Sequence, residues 1–447
     1  MTVAGIPIAF FTEWPEVIIY ALCLIVGLRT FIVIWRYDGI LTVPSFFLAL
    51  LFFSNIVTLP FTASPINIVT ATGVLGYLRY LPAIPFAFYI TAFGFVILCS
   101  VFLYAYRPEN PPGTPAPFMD IITKSLREFW LTDEALTALS GILLLITAIL
   151  VIMGIPLFHG REAGQFNPAI RPLITIQSLL ASFALILAFT AAFVCRSVAN
   201  ICTIGIAIPA TLIAGTRSAP LTPIVLLLIL MSSWTRSRNI FKIGTVICGL
   251  LAAAIAISSL RQHGSSHFGL GVTVASSLFY GNNFSDLRDF SWILSGWNHG
   301  LLLGKTYLSG MLGFVPSYLF PLRNEWAWGP MSLRFAHISD PLGLHPGLRG
   351  SFIAEPYLNF GFVGLIVIAA IYARALAANA AFIGSARRQN NRREFAVQTA
   401  SNFIYVQLST SLLYSAGFFS VYVTSLLIAT GILVAGLPYR LPMSNRL

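Results

Sequence analysis

Residues 345–361 read HPGLRGSFIAEPYLNFG and set His345, Arg349 and Glu355 immediately before a long apolar run. Each of these types does chemistry. An arginine fork holds anionic oxygens with two parallel hydrogen bonds and never loses its charge. A carboxylate or an imidazole can take a proton from a hydroxyl. Pro356 suits the first turn of a helix, which leaves Glu355 two readings: a cap that satisfies the helix N-terminus, or a general base at a secluded mouth. Asn359 follows four residues later, on the same helical face. His345 reads equally as a base or as a hydrogen-bond donor to a leaving group.

More cations gather in the same part of the chain. Arg288, Lys305, Arg323, Arg334 and Arg349 lie within 261–350, as do five of the six histidines, and Arg217 sits in a tight GTRSAP turn far away in sequence. The histidines show neither an HExxH pattern nor short paired spacing, so no metal site is indicated. Asp286 and Asp289 in SDLRD read as solvated or as partners of Arg288. For the arginines two readings stand: snorkelling to ordinary lipid headgroups, or convergence on a lipid-linked phosphate. Trp292, Trp297 and Trp326 read either as interfacial anchors or as platforms for sugar faces.

The rest of the chain must position these groups, and it is built for hydrocarbon. Of 447 residues 57% are hydrophobic and only 9% charged, and the mean hydropathy is +0.84. Soluble domains carry about 25% charged residues. Apolar runs fall at 16–35, 40–62, 82–105, 136–157, 172–195, 199–215, 219–234, 240–260, 352–380, 396–416 and 419–438. Runs of about 20 residues can cross a bilayer core of about 30 Å. The expectation is an all-α polytopic membrane protein of about eleven spans, with no strand-period signal for a β-barrel. Spans one to eight occupy 1–260, a large loop 261–350, and spans nine to eleven 351–447. The N-terminus lacks a basic stretch, so the first apolar run reads as a retained span. The five cysteines lie in or beside apolar runs and indicate no disulfide framework.

The net charge of +11 does not point to nucleic acid, because the basic residues cluster in short loops. With the N-terminus outside, the cytoplasmic segments hold fourteen Lys and Arg and the short external loops only four: Arg79, Arg161, Arg171 and Arg217. That is the positive-inside pattern, and it places 261–350 outside. This segment is too aromatic for a disordered tail, and 290–313 reads as interfacial helices on the membrane surface. Residues 108–119 form a proline-rich spacer, and SARRQNNRRE at 385–394 reads as a topology anchor.

Taken together, GTRSAP (215–220), FSDLRDFSWIL (284–294), GKTYLSGMLGFVPSYLFPLRNEW (304–326) and HPGLRGSFIAEPYLNFGFVG (345–364) resemble the bacterial O-antigen polymerases of the Wzy type. The resemblance implies a GT-C-like, metal-independent glycosyltransferase in the bacterial inner membrane, working without a cofactor at the periplasmic face. Its partners would be undecaprenyl-pyrophosphate-linked glycans as donor and acceptor, membrane lipids and a chain-length regulator protein. Carried over, Arg217, Arg323 and, on a looser match, Arg334 would bind pyrophosphate. Arg349, Glu355 and His345 would be catalytic, with Glu355 the first choice of base. Trp292, Trp326, Tyr357 and Asn359 would line the glycan groove. An O-antigen ligase uses similar chemistry on another acceptor. A lipid-linked oligosaccharide flippase is a third reading, disfavoured because the span interiors hold almost no charge.

Overall fold

The computed structural model describes residues 14–65, 67–68, 72–106, 117–155, 163, 170–214, 218–235, 249, 284–316, 318–339, 347–350, 352–378 and 380–436. Among these the fold is all-helical, with no strand. Six helical stretches are long and apolar enough to cross a membrane: Trp14–Asp38, Gly73–Ala105, Asp133–Ile152, Arg171–Val194, Ala354–Arg388 and Ser415–Gly436. Three shorter apolar helices, Val43–Val57, Val198–Ile213 and Pro220–Thr235, stand at further expected spans. The expected span at 240–260 lies outside the described residues apart from Gly249.

In chain order we label α1 Trp14–Asp38, α2 Val43–Phe52, α3 Leu59–Thr62, α4 Gly73–Tyr80, α5 Ile84–Ala105, α6 Pro117–Ser125, α7 Asp133–Ile152, α8 Arg171–Val194 and α9 Val198–Ala214. There follow α10 Ser218–Thr235, α11 Asp286–Ser295, α12 Lys305–Met311, α13 Leu322–Trp326, α14 Trp328–Phe335, α15 Ala354–Ala377, α16 Ala380–Arg388, α17 Arg392–Leu412 and α18 Phe418–Gly436.

Helix α1 shows how the sequence divides its surface. It buries Glu16, Cys23, Gly27, Thr30 and Ile34, a stripe at helical spacing, and leaves Ile18, Leu22, Ile25 and Leu28 exposed. In water such a face would be a liability; against lipid tails it is at home. Gly27 permits the close approach of α2, since a Cβ there would stand 2.7 Å from the Phe52 ring. Helix α5 runs through the middle, burying eleven of its 22 residues and packing along α15, where Gly94 accommodates Leu365 and Phe93 meets Phe362 edge-on at 5.5 Å.

Helix α17 inverts the usual logic. Its 21 residues are long enough to span, yet it is absent from the apolar set because Gln398, Thr399, Ser401, Asn402 and Ser411 occupy its buried side. A polar helix is tolerated at membrane depth where neighbouring protein, rather than lipid, surrounds its polar groups.

Two breaks among the described residues bear on the site. After α2 the chain passes into a π-turn, Phe53–Val57, and then α3 with Pro60 in its first turn. In α15, Gly361 adopts φ 65°, ψ −152°, a region open essentially to glycine alone. The carbonyls of Leu358 and Asn359 turn aside and accept from the N–H groups of Leu302 and Leu303, each at 3.0 Å.

The described part of the long loop departs from its expected form. Helix α11 does not lie on the surface: Leu287 through Leu294 are all buried, packed against α4, α5, α14 and the π-turn. The 385–394 stretch is also more than a topology anchor. Arg387 turns inward and pairs with Asp38 at 3.0 Å, the two side chains only 9% and 13% exposed.

Gly361→Ala is expected to lower the stability of the detergent-solubilised protein by about 1–3 kcal/mol, because alanine strains at this φ/ψ. Gly141→Ala, where an added Cβ meets nothing within 4 Å, is the matched control and should not destabilise. Equal melting temperatures for the two variants would refute the assignment.

Candidate functional site

The GLRG segment, 347–350, is laid flat on the start of α14. Gly347 has φ 93°, and a Cβ there would fall 2.5 Å from Gly329 Cα; a Cβ on Gly350 would fall 2.3 Å from the Trp328 ring. Only glycine fits either place. Between them the Leu348 N–H donates to Ser332 Oγ (3.0 Å), and the Leu348 carbonyl accepts from Trp328 Nε1 (2.8 Å). The motif is therefore a backbone clamp that fixes where Arg349 emerges.

Helix α11 supplies what Arg349 faces. Asp286 and Asp289 are three residues apart and share a helical face. Asp289 Oδ1 accepts from Arg288 Nε (3.0 Å) and from a terminal nitrogen of Arg288 (2.8 Å), and Asp289 Oδ2 accepts from the Arg349 N–H (3.3 Å). Arg288 and Asp289 are 5% and 6% exposed, so this acid is a buried partner and not a solvated one. Asp286 Oδ1 stands 3.9 Å from the Arg349 guanidinium, with the arginine side chain 45% and the aspartate 20% exposed. Burial pushes the Asp286 carboxyl above its ordinary range, while the Arg349 charge and the nearby Ser54 hydroxyl of the π-turn draw it back. The break after α2 thus places Ser54 against this carboxyl.

Glu355 sits nearby but is otherwise engaged. It is 1% exposed; Oε1 accepts from Thr306 Oγ1 (2.5 Å) and Oε2 from the Ser415 N–H (3.0 Å). Asn359 Nδ2 completes the knot, donating to Thr306 Oγ1 (2.9 Å) and to the Glu355 carbonyl (2.8 Å). Ile353, not Glu355, occupies the N-cap of α15, and no side chain caps it. The carboxylate reaches sideways and ties α15 to α12 and to the turn before α18. It is a brace with both oxygens occupied, which corrects the cap reading and suits neither an exposed nor a free base. Tyr414 lies within electrostatic reach of both Asp286 and Glu355.

The other expected site residues separate. Arg323 donates to the carbonyls of Gly313 (3.0 Å) and Val315 (2.5 Å), closing its own loop. Arg334 is exposed at the end of α14. Trp292 is 8% exposed, donates to the Ala336 carbonyl (3.1 Å) and fills the space beside Gly76. Tyr357 is 6% exposed within a ring cluster of Phe86, Phe290, Trp297 and Phe362, and Asn359 is fully buried. These three are packing and bracing groups, too enclosed to offer a surface to a sugar. Trp326 is half-buried, edge-on to Phe320 at 5.7 Å with Lys305 Nζ 5.8 Å from its ring. His345 and Arg217 lie outside the described residues. His299 and His337 are both exposed, on separate turns.

Asp286 is the residue that reading the sequence undervalued. Its signal was the i, i+3 spacing of the two acids in SDLRD, which puts both on one face of a helix. Its neighbour across the gap, Arg349, is 63 positions away and leaves no local trace. Comparison of the chain with protein-family models, curated proteins and solved structures found no match.

Glu355→Ala is expected to destabilise the protein by about 2–3 kcal/mol, the scale of hydrogen bonds to a charged group and of the buried N–H left unpaired. Thermal unfolding in detergent measures it. Thr306→Val should give a smaller loss in the same direction. An unchanged melting temperature for Glu355→Ala would show that the knot carries no stability.

Proposed function

We propose that the protein is a polysaccharide polymerase that lengthens a glycan carried on undecaprenyl pyrophosphate, at the periplasmic face of the bacterial inner membrane. The observation that carries this reading is the Asp286–Arg349 pair: a carboxylate raised by burial beside a clamped, half-exposed guanidinium at the head of a long apolar helix. The resemblance of the motifs supports it, and so does the charge pattern that puts this end outside. An eleven-span, GT-C-like arrangement belongs to the same reading.

The chemistry divides between the two side chains. The acceptor hydroxyl of an incoming repeat unit attacks the anomeric carbon of the donor glycan; its proton passes to Asp286 as the new glycosidic bond forms. The bond from the anomeric carbon to the pyrophosphate oxygen breaks with its electron pair, and the charge gathering on that oxygen falls to Arg349. Fixed cations at a developing anion lower the barrier by several kcal/mol. Arg217, matched through GTRSAP, is assigned to the same leaving group. Relative to the sequence reading, the acceptor proton moves from Glu355 to Asp286.

The flippase reading gains one observation, since broken helices are common in transporters. Against it, Arg29 and Arg374, the two arginines inside the expected spans, are both exposed, whereas charges that serve a transport path face the bundle interior.

Asp286→Asn and Arg349→Ala are each expected to reduce polymer formation at least ~100-fold, the usual contribution of a positioned base or charge, with the protein level in membranes unchanged. The assay supplies purified lipid-linked repeats without lipid A-core, so a ligase would give no lengthening. Because Asp286 must be ionised to accept a proton, the wild-type rate should fall as pH drops through a midpoint above the ordinary aspartate value of about 4. Normal long-chain polymer from both variants would overturn the proposal.

A further inference from the structure

Between α12 and α13 the chain reads MLGFVPSYLFPL, residues 311–322, and leaves its apolar side chains uncovered. Phe314, Tyr318 and Leu319 are 72%, 79% and 66% exposed, and Met311 and Leu322 are exposed as well. In water such a patch would be a liability. The backbone beneath it is closed on itself. The carbonyls of Gly313 and Val315 accept from Arg323, and that of Met311 from the Tyr422 hydroxyl. The Leu312 carbonyl accepts from the Val315 N–H (2.9 Å), and that of Pro316 from the N–H groups of Leu319 (3.0 Å) and Phe320 (3.2 Å). Ser309 Oγ donates to the Arg323 carbonyl (2.7 Å) and fastens the two ends of the loop together. Water could satisfy those loop carbonyls unaided, whereas lipid offers them no donor.

The patch is continuous with a surface that faces lipid. Helix α18 is long and apolar enough to span, and Phe419, Tyr422, Leu426 and Leu433 stand exposed along one side of it at helical spacing. Phe314 meets Tyr422 edge-on at 5.7 Å. We propose that the 311–322 loop is a membrane wedge, with Phe314, Tyr318, Leu319 and Leu322 entering the acyl region of the leaflet in which α18 begins. A protein seated on this loop would have to lie across the lipid face of α18, so the occupant is phospholipid. The base of the loop has the residues of a headgroup layer. Lys305 is exposed, with Nζ 5.8 Å from the Trp326 ring, and Asn324 and Glu325 are exposed just after Leu322; tryptophan commonly marks that boundary, and lysine reaches from it to water. Interfacial elements of this kind sit about 5–10 Å into the headgroup–acyl boundary. The wedge holds α12 at that depth, and Thr306 of α12 bonds Glu355 at the head of α15. Arg323, which the resemblance matched to pyrophosphate, is thereby assigned to closing the loop.

The test uses the full-length protein in nanodiscs of phosphatidylethanolamine and phosphatidylglycerol. The photoreactive aromatic p-benzoylphenylalanine, which inserts into C–H bonds, replaces Phe314 or Tyr318. The same substitution at Leu426 of α18 is the lipid-facing control, and at Asn324 the water-facing one. After irradiation, mass spectrometry counts phospholipid adducts and fragmentation locates them. The yield at Phe314 and Tyr318 is expected to match that at Leu426 and to exceed that at Asn324 about fivefold or more, with the new bond on an acyl chain. Yields at both positions no higher than at Asn324, adducts confined to headgroups, or crosslinks to protein in place of lipid in native membranes would each overturn the wedge. Arg323→Met, which leaves the Gly313 and Val315 carbonyls without their donor, is expected to lower the Tyr318 yield about fivefold or more. An unchanged yield would overturn the part given to Arg323; should that variant fail to fold, the four labelled positions decide the insertion by themselves. None of these readouts involves glycan transfer, so the result is independent of the proposed polymerase activity.

Discussion

Hydrocarbon offers no partner to a backbone carbonyl, and the break of α15 at Gly361 turns two of them out of the helix. Much else at this end of the molecule follows from meeting that demand. The 302–303 segment supplies the missing N–H groups to Leu358 and Asn359, which draws α12 against the head of α15. There Thr306 meets Glu355, and the second oxygen of that carboxylate takes the Ser415 N–H. One broken helix thereby gathers three segments widely separated in sequence. Glu355 is buried because it sits at the centre of this junction, and its two donors compensate part of the loss of water.

The same economy governs the charged groups. Arg288 and Asp289 are buried together, and Asp289 also accepts from the backbone of Arg349. Neutralising one pair in the interior leaves the second pair, Asp286 and Arg349, at the edge and partly open. At the opposite end Asp38 and Arg387 are likewise paired, tying the ends of α1, α5 and α10 to α16. Buried pairs such as these add little net stability, since desolvation offsets the attraction, but removing one partner is severe. Their effect here is to fix which helix ends meet.

Aromatic residues do the remaining work of holding the loop segment in the bundle. Trp292 lies against Tyr80 and Gly76, while Trp297, Phe290, Phe86 and Phe362 surround Tyr357. Tryptophan in a membrane protein commonly marks the interface or a ligand platform, and nothing local distinguishes those from a buried wedge. The glycine at position 76 that makes room for Trp292 is more than two hundred residues away.

Composition and run length alone determined the class: only helices and closed barrels keep every backbone group bonded in lipid, and unbroken apolar runs of about 20 residues without strand alternation select helices. Local pattern also located the HPGLRG clamp, the SDLRD acids and the start of α15, since glycine, proline and i, i+3 spacing act within a turn or two. Tertiary structure alone decided which acid faces which base. Glu355 and Asp286 are both carboxylates beside arginines in the sequence. Only the folding of α12 and Ser415 around the first, and of Arg349 and Ser54 around the second, makes one a brace and the other a candidate base. Burial and partner choice depend on residues 49 or more positions away, and periodicity carries no information at that range.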